Sequence, residues 1–202
     1  MIRIVLIMAA ALALVACGTT GSHEIGSTND PLKPADAKTP RRPANDLPAR
    51  SVLDAMPDFT GIGPLRFGMS AEQMRKAWGA PLHGEAPVND SQACYYLRPS
   101  RDKYDLLFMV EGDRFVRVDV KTAEKTAPGG GRVGMDIIEL RKLYDGRIKA
   151  SPNFYDSAAT DLRVTPSQPE NALLLFEANE KDIVTSWRVG KPQQVNYVEG
   201  CG

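Results

Sequence analysis

The chain has only two histidines, His23 and His83, and neither belongs to a His-Glu-x-x-His arrangement. Gly-x-Ser-x-Gly and the glycine-rich phosphate loop are also missing, so the common signatures of zinc hydrolysis, the nucleophile elbow and nucleotide cradling are absent. Gly61-x-Gly63 lacks the later glycine and the strand-then-helix context of a dinucleotide loop. His83, followed by Glu85 in a Gly- and Pro-rich stretch, reads as a solvated loop residue. No sign of charge dominates: 25 Lys and Arg balance 25 Asp and Glu. That removes any electrostatic case for nucleic acid or for an anionic membrane surface. Cysteine is scarce, at three residues, with no Cys-x-x-Cys and no neighbouring histidine, which leaves no metal or dithiol-redox motif. The longest apolar run, Ile4 to Ala16, is shorter than the ~20 residues that span a bilayer. The chain therefore reads as a non-enzyme without cofactor or metal.

The first seventeen residues carry the clearest pattern. Arg3 precedes the apolar run, and the run ends in Leu14-Val15-Ala16-Cys17. A basic start, a short apolar core and small residues at a cut site make a secretory signal. Leu-Val-Ala-Cys further resembles the lipobox of bacterial lipoproteins, in which the cysteine is acylated and becomes the new N-terminus. The resemblance implies a lipidated Cys17 and attachment to a membrane through its acyl chains; an ordinary signal with an incidental cysteine is the alternative. Two or more chains are needed for stable anchoring. Gly18 and Thr19 follow the cysteine. The absence of Asp at the first of these positions implies, by the same resemblance, the periplasmic face of the outer membrane, with the inner membrane left open. Export leads to an oxidising compartment, and with Cys17 lipidated only Cys94 and Cys201 remain. They are expected to form a disulfide closing a loop of roughly 100 residues, with two free thiols as the alternative.

From Cys17 to Pro57 the sequence is rich in Pro, Ala, Ser, Thr and Gly and poor in large apolar residues. It reads as a disordered tether, with an r.m.s. span of ~35 Å for its roughly forty residues. An internal repeat follows. Gly68-Met69-Ser70-Ala71-Glu72-Gln73-Met74-Arg75-Lys76-Ala77-Trp78 aligns without a gap with Gly134-Met135-Asp136-Ile137-Ile138-Glu139-Leu140-Arg141-Lys142-Leu143-Tyr144. Each copy predicts a short helix. Ser70 and Asp136 are N-cap types, and Gln73 and Glu139 stand three residues on, as in a capping box. Ala71, Met74, Ala77 and Trp78 make one apolar stripe, and Ile137, Leu140 and Tyr144 the other.

Strand-like segments follow each helix: 93–97, 105–111 and 115–122 in the first copy, then 161–164, 172–178 and 183–189 in the second. Gly112-Asp113 and Asn179-Glu180-Lys181 make the turns, Gly129-Gly130-Gly131 the joint, and 195–198 a last strand. Alternation of Arg117 and Asp119 within Phe115–Val120 predicts one wet and one dry sheet face. The expected fold class is α+β: two tandem helix-plus-antiparallel-sheet units forming one continuous sheet with helices on one face. The expected boundaries are 1–16 signal peptide, 17–57 lipidated cysteine and tether, 58–128 first unit, and 129–202 second unit with a C-terminal strand.

A Gly-Met-Ser/Asp helix start, an aromatic helix end and a meander with a Phe-bearing hairpin resemble the β-lactamase-inhibitor-protein-like fold over about 61–190. The small SmpA/OmlA (BamE-type) outer-membrane lipoproteins have a related single unit. The inhibitor-type proteins carry disulfides within each unit, whereas the candidate bridge here joins the first unit to the C-terminus. The resemblance implies an envelope binding protein that grips a protein partner through its sheet face, such as an inhibitor or immunity-type protein. A structural role in outer-membrane assembly is the alternative, and an envelope enzyme a more remote one. Tyr95, Tyr96, Tyr104, Trp187 and Tyr197, on or beside predicted strands, are the candidate partner-binding residues.

Overall fold

The two repeated segments fold as helices of equal length, α1 (Ala71–Trp78) and α2 (Ile137–Tyr144). Ser70 and Gln73 cap each other's backbone reciprocally at α1, and the Asp136 carboxylate accepts from the amides of Ile138 and Glu139 at α2. Gly79 ends α1 in the left-handed conformation that glycine adopts without a Cβ penalty. Met74 and Trp78, one turn apart, are buried on α1; Leu140 and Tyr144 are buried on α2.

In the computed structural model, residues 52–166 and 171–202 are described, and they fall within a single contact unit, Arg41–Gly202. Cys17, the signal segment and the tether as far as residue 51 lie outside the described residues. Three two-residue strands open the fold: β1 (Pro57–Asp58), β2 (Gly61–Ile62) and β3 (Leu65–Arg66), paired in that order. The remaining strands are β4 (Cys94–Leu97), β5 (Leu106–Glu111), β6 (Arg114–Val120), β7 (Ile148–Pro152), β8 (Thr160–Val164), β9 (Leu173–Ala178) and β10 (Val184–Gly190). They form a seven-stranded sheet in the order β4-β5-β6-β10-β9-β8-β7, antiparallel throughout. A third helix, α3 (Pro192–Val195), follows β10. The class is mixed α+β, mostly sheet.

The core lies between α1, α2 and one sheet face. Trp78 meets Phe108 at 5.1 Å and Phe108 meets Phe115 at 5.9 Å; under α2, Tyr144 meets Phe176 at 5.6 Å and Phe176 meets Trp187 at 6.4 Å. Tilted and edge-on contacts of this kind add to the area effect of burying such rings. The Gly129-Gly131 joint is pressed under α2. The Tyr144 hydroxyl donates to the Pro128 carbonyl (2.7 Å) and accepts from the Gly131 amide (3.2 Å). A Cβ on Gly131 would stand 2.5 Å from the Phe176 ring, so side-chain-free backbone is required there. Each Gly-Met pair makes the same reciprocal bonds to a strand start. Gly68 donates to Phe115, which donates to Met69; Gly134 donates to Val184, which donates to Met135.

Four expectations need correction. The folded part starts before residue 58: Val52 is buried in the core, and the Lys125 ammonium donates to the carbonyls of Leu53 and Ala55. β7 and the small β1–β3 sheet carry no sequence signal, because β7 is a mostly exposed edge strand ending in Pro152 and the others are two residues long. Residues 195–198 are not a strand. Pro192 stands at the first turn of α3, where its fixed φ suits a helix, and both edges of β10 are already taken by β6 and β9. Nor do all helices share one face: α3 lies opposite α1 and α2, its Val195 carbonyl accepting from Arg188 at 2.7 Å.

Candidate functional site

Side chains alternate across a strand, so the residues between the core-facing ones point away from α1 and α2. On β6 these are Arg117 and Asp119, on β10 Ser186 and Arg188, on β9 Glu177, and on β8 Asp161 and Arg163. Neighbouring strands thus bring a row of charges together on the second face. The Arg117 Nε donates to Asp119 at 2.9 Å, its Nη2 to the Tyr96 hydroxyl at 2.7 Å, and its Nη1 to the Gln194 carbonyl. Arg188 pairs with Glu177, and the Ser186 hydroxyl donates to the other Glu177 oxygen at 2.6 Å. Arg163 lies 3.4 Å from Asp161 and reaches Ser151 and Asn196.

This face is not the wet one that alternation predicts. Arg117 is only 2 % exposed, because the chain after β10 turns back and crosses the sheet. Val195, Met109 and Leu175 are buried beneath it, and a Cys94–Cys201 disulfide ties its end to the edge strand β4. A cavity of about 300 Å³ remains between this segment and the sheet. Its walls carry Arg117, Lys121 and Arg188 against Asp119, Glu177 and Glu199, with Tyr96 and Ser186 between them. Cations and carboxylates are matched, so the lining offers paired polar contacts and not a field of one sign.

The environment tunes these groups. Burial pushes the Asp119 carboxyl above its usual range, against the pull of Arg117. Burial also raises Glu177, but Arg188, Ser186 and Lys121 together bring it below the ordinary value. Burial and the neighbouring Asp119 charge raise the Tyr96 hydroxyl to about 12, outweighing Arg117. Ser186 therefore gives its proton to a carboxylate that is a weak base, and no imidazole stands in the cavity wall. The geometry holds these charges in fixed pairs. Among the described residues no group of three or more His, Cys, Asp or Glu is placed to hold a metal.

The five predicted aromatics scatter. Tyr96 lines the cavity, and Tyr197 joins its side of the sheet, donating weakly to Glu111 at 3.4 Å. Tyr95 turns to the other face and packs against the core. Tyr104 is 59 % exposed in the β4–β5 loop beneath the Arg98 guanidinium, 4.4 Å from its ring centre. Trp187 is a correction: at 1 % exposure it is a core residue on the helix side of β10 and presents nothing to a partner. His83 forms a β-bridge with Arg98 beside the β4 edge, away from the cavity.

Sequence reasoning missed Phe154 and Tyr155, in the β7–β8 connection. They stack edge to face at 5.1 Å and are 77 % and 62 % exposed. The Tyr155 hydroxyl bonds Glu199 on the cavity rim, beside the exposed Val198. The adjacent Phe-Tyr pair was a legible signal, but only the fold brings it to the charged face.

No protein-family model matches the chain, and no curated protein matches it. Among solved structures it is similar to an extracellular protein containing a SCP domain from Bacillus anthracis str. Ames. That match has 11 % identity and a TM-score of 0.41, and it covers 62 % of this chain and 44 % of the other.

Proposed function

We propose that the protein is a lipid-anchored cell-envelope binding protein that engages a protein partner through the sheet face opposite α1 and α2, in the manner of an inhibitor or immunity-type protein. The observation that carries this reading is the exposed Phe154–Tyr155 pair, whose Tyr155 hydroxyl bonds Glu199 in the wall of a cavity of matched charges. Large aromatics next to ordered polar groups have the composition of an interface centre. The Leu-Val-Ala-Cys17 sequence supports acylation, and with it attachment to the periplasmic face of the outer membrane. The described helices include none long and apolar enough to cross a membrane.

The framework presenting this face is proposed to be two tandem units, α1 with β4–β6 and α2 with β7–β10, joined at the β6–β10 pair. The identical reciprocal bonds of the Gly68-Met69 and Gly134-Met135 pairs support that reading.

Capture from envelope extracts by the full chain tests the binding reading. Phe154→Ala with Tyr155→Ala is expected to weaken capture of a specific partner by roughly 30-fold, corresponding to ~2 kcal/mol, with the melting temperature kept. Ile138→Ala, on the helix side, should leave capture unchanged. Undiminished capture by the aromatic double variant sinks the proposed surface.

A further inference from the structure

The segment after β10 is held in two different ways. Its first half is embedded. Val195 and Gln194 are buried, Arg188 donates to the Val195 carbonyl, and Arg117 donates to that of Gln194. Its second half, 196–202, is not. Asn196, Val198, Glu199 and Gly202 are exposed, and the backbone hydrogen bonds of these residues run within the segment or back to α3. Among the described residues, no backbone–backbone bond joins 196–202 to the sheet. Its ties to the rest are side-chain contacts: Tyr155 to Glu199, Arg163 to Asn196, the Tyr197 hydroxyl to Glu111 at 3.4 Å and Arg117 to the Tyr197 carbonyl at 3.4 Å, with Gly200 so close to Tyr96 that a Cβ on it would stand 2.5 Å from the hydroxyl. The one covalent tie is Cys94–Cys201, two partly exposed cysteines next to the chain's last residue.

Val198, Glu199 and Gly200 form the outer wall of the charged cavity. A wall lacking a hydrogen-bond ladder belongs to the low-stability end of a fold. We propose that residues 196–202 are a redox-latched lid over the cavity, closed by the Cys94–Cys201 disulfide and opened by a dithiol reductant. The two thiols of the reductant supply two electrons and two protons. The Cys94–Cys201 bond breaks, both sulfurs become thiols, and the reductant leaves as a disulfide. The lid then hinges after α3, which stays docked through Val195, and the cavity side of Tyr96, Arg117 and Asp119 opens to solvent. The latch does not depend on the identity of any partner.

Hydrogen exchange on the full chain tests it, comparing the oxidised protein, the protein reduced with dithiothreitol, and Cys201→Ser. Amides of 197–202 are expected to exchange roughly tenfold faster or more in the last two and well ahead of β6, β10 and α3, which lose only the protection that the lowered global stability removes. Nitration of Tyr96 by tetranitromethane, located by mass spectrometry, should rise several-fold in parallel. The proposal is overturned if protection at 197–202 is the same in all three forms, since the side-chain contacts then suffice. It is equally overturned if 197–202 open only together with β6 and β10, at the same opening free energy, since the bond then holds the whole sheet and not a lid. Reduction of the wild-type protein gives the answer even if Cys201→Ser does not accumulate.

Discussion

Arg117 is the residue on which the second sheet face depends. Buried and paired with Asp119, Tyr96 and a backbone carbonyl, it satisfies three groups at once. Arg117→Ala would leave the Asp119 charge buried without its partner, a change expected to cost about 3–5 kcal/mol in urea unfolding. The double change Arg117→Met with Asp119→Leu should recover most of that loss, because it removes the stranded charge. Titration adds signed expectations. Tyr96 and Tyr144 are both raised to about 12, mainly by burial, so the unfolded chain loses these protons first. Stability that is complete below about pH 10 is expected to fall as pH rises toward 12, and Tyr96→Phe with Tyr144→Phe should flatten that slope in pH-dependent melting. Glu177 acts at the other end. Its lowered value stabilises the fold above the ordinary Glu range, and that contribution is lost as pH falls through its folded value. Glu177→Gln should therefore shallow the acid limb, whereas Asp119, held high by burial, favours the fold at lower pH.

Among the elements, the two helices are short enough that their ends matter. Eight residues give few internal hydrogen bonds, so the Ser70–Gln73 box and the Asp136 cap satisfy a large share of the exposed amides. Ser70→Ala and Asp136→Ala are each expected to cost ~1 kcal/mol in denaturant unfolding. Asp113 links two elements. It lies in the β5–β6 turn, where it and Gly112 both take positive φ, and its carboxylate also accepts from the Ala71 amide at the start of α1. The hairpin and the helix are thereby tied together. Under α2, Gly131→Ala would drive a methyl into Phe176 and Leu140, a cost of roughly 1–3 kcal/mol if the core cannot yield.

For the whole molecule, the disulfide is the longest-range tie. It spans 107 residues of sequence and joins the last turn to an edge strand. By the chain-entropy account such a loop contributes at most ~4–5 kcal/mol by restricting the unfolded chain. Cys201→Ser should accordingly lower the denaturant midpoint and raise the m-value, because the unfolded chain without its cross-link exposes more surface, while membrane attachment is unchanged. The proposed lipid attachment is tested at the other end: Cys17→Ser is expected to leave the protein unacylated and released from membranes, as mass spectrometry and fractionation would show. Acylation of that variant elsewhere would remove the lipobox from the account.

Local rules carried the reading of the two repeat helices, six of the seven strands of the large sheet, and the cysteine pair. Caps, apolar stripes and alternation are written within ten residues of one another, and only two cysteines were left to pair. The repeat at Gly68 and Gly134 was likewise legible, because equal backbone roles select equal residues. What no local pattern encodes is which side of a strand the returning chain will cover. Trp187 and Arg188 are adjacent in sequence, yet one is core and the other lies beneath α3. Arg117 looked solvated because its neighbours alternate, and it is buried because residues 192–201 fold back over it. Short-range sterics, hydrogen bonding and the count of cysteines were enough to place the repeat helices, most of the large sheet and the covalent pair. Which charges are buried, where the cavity lies and why Phe154 and Tyr155 stand at its rim follow instead from contacts between residues far apart in the chain, and those exist only once it has folded.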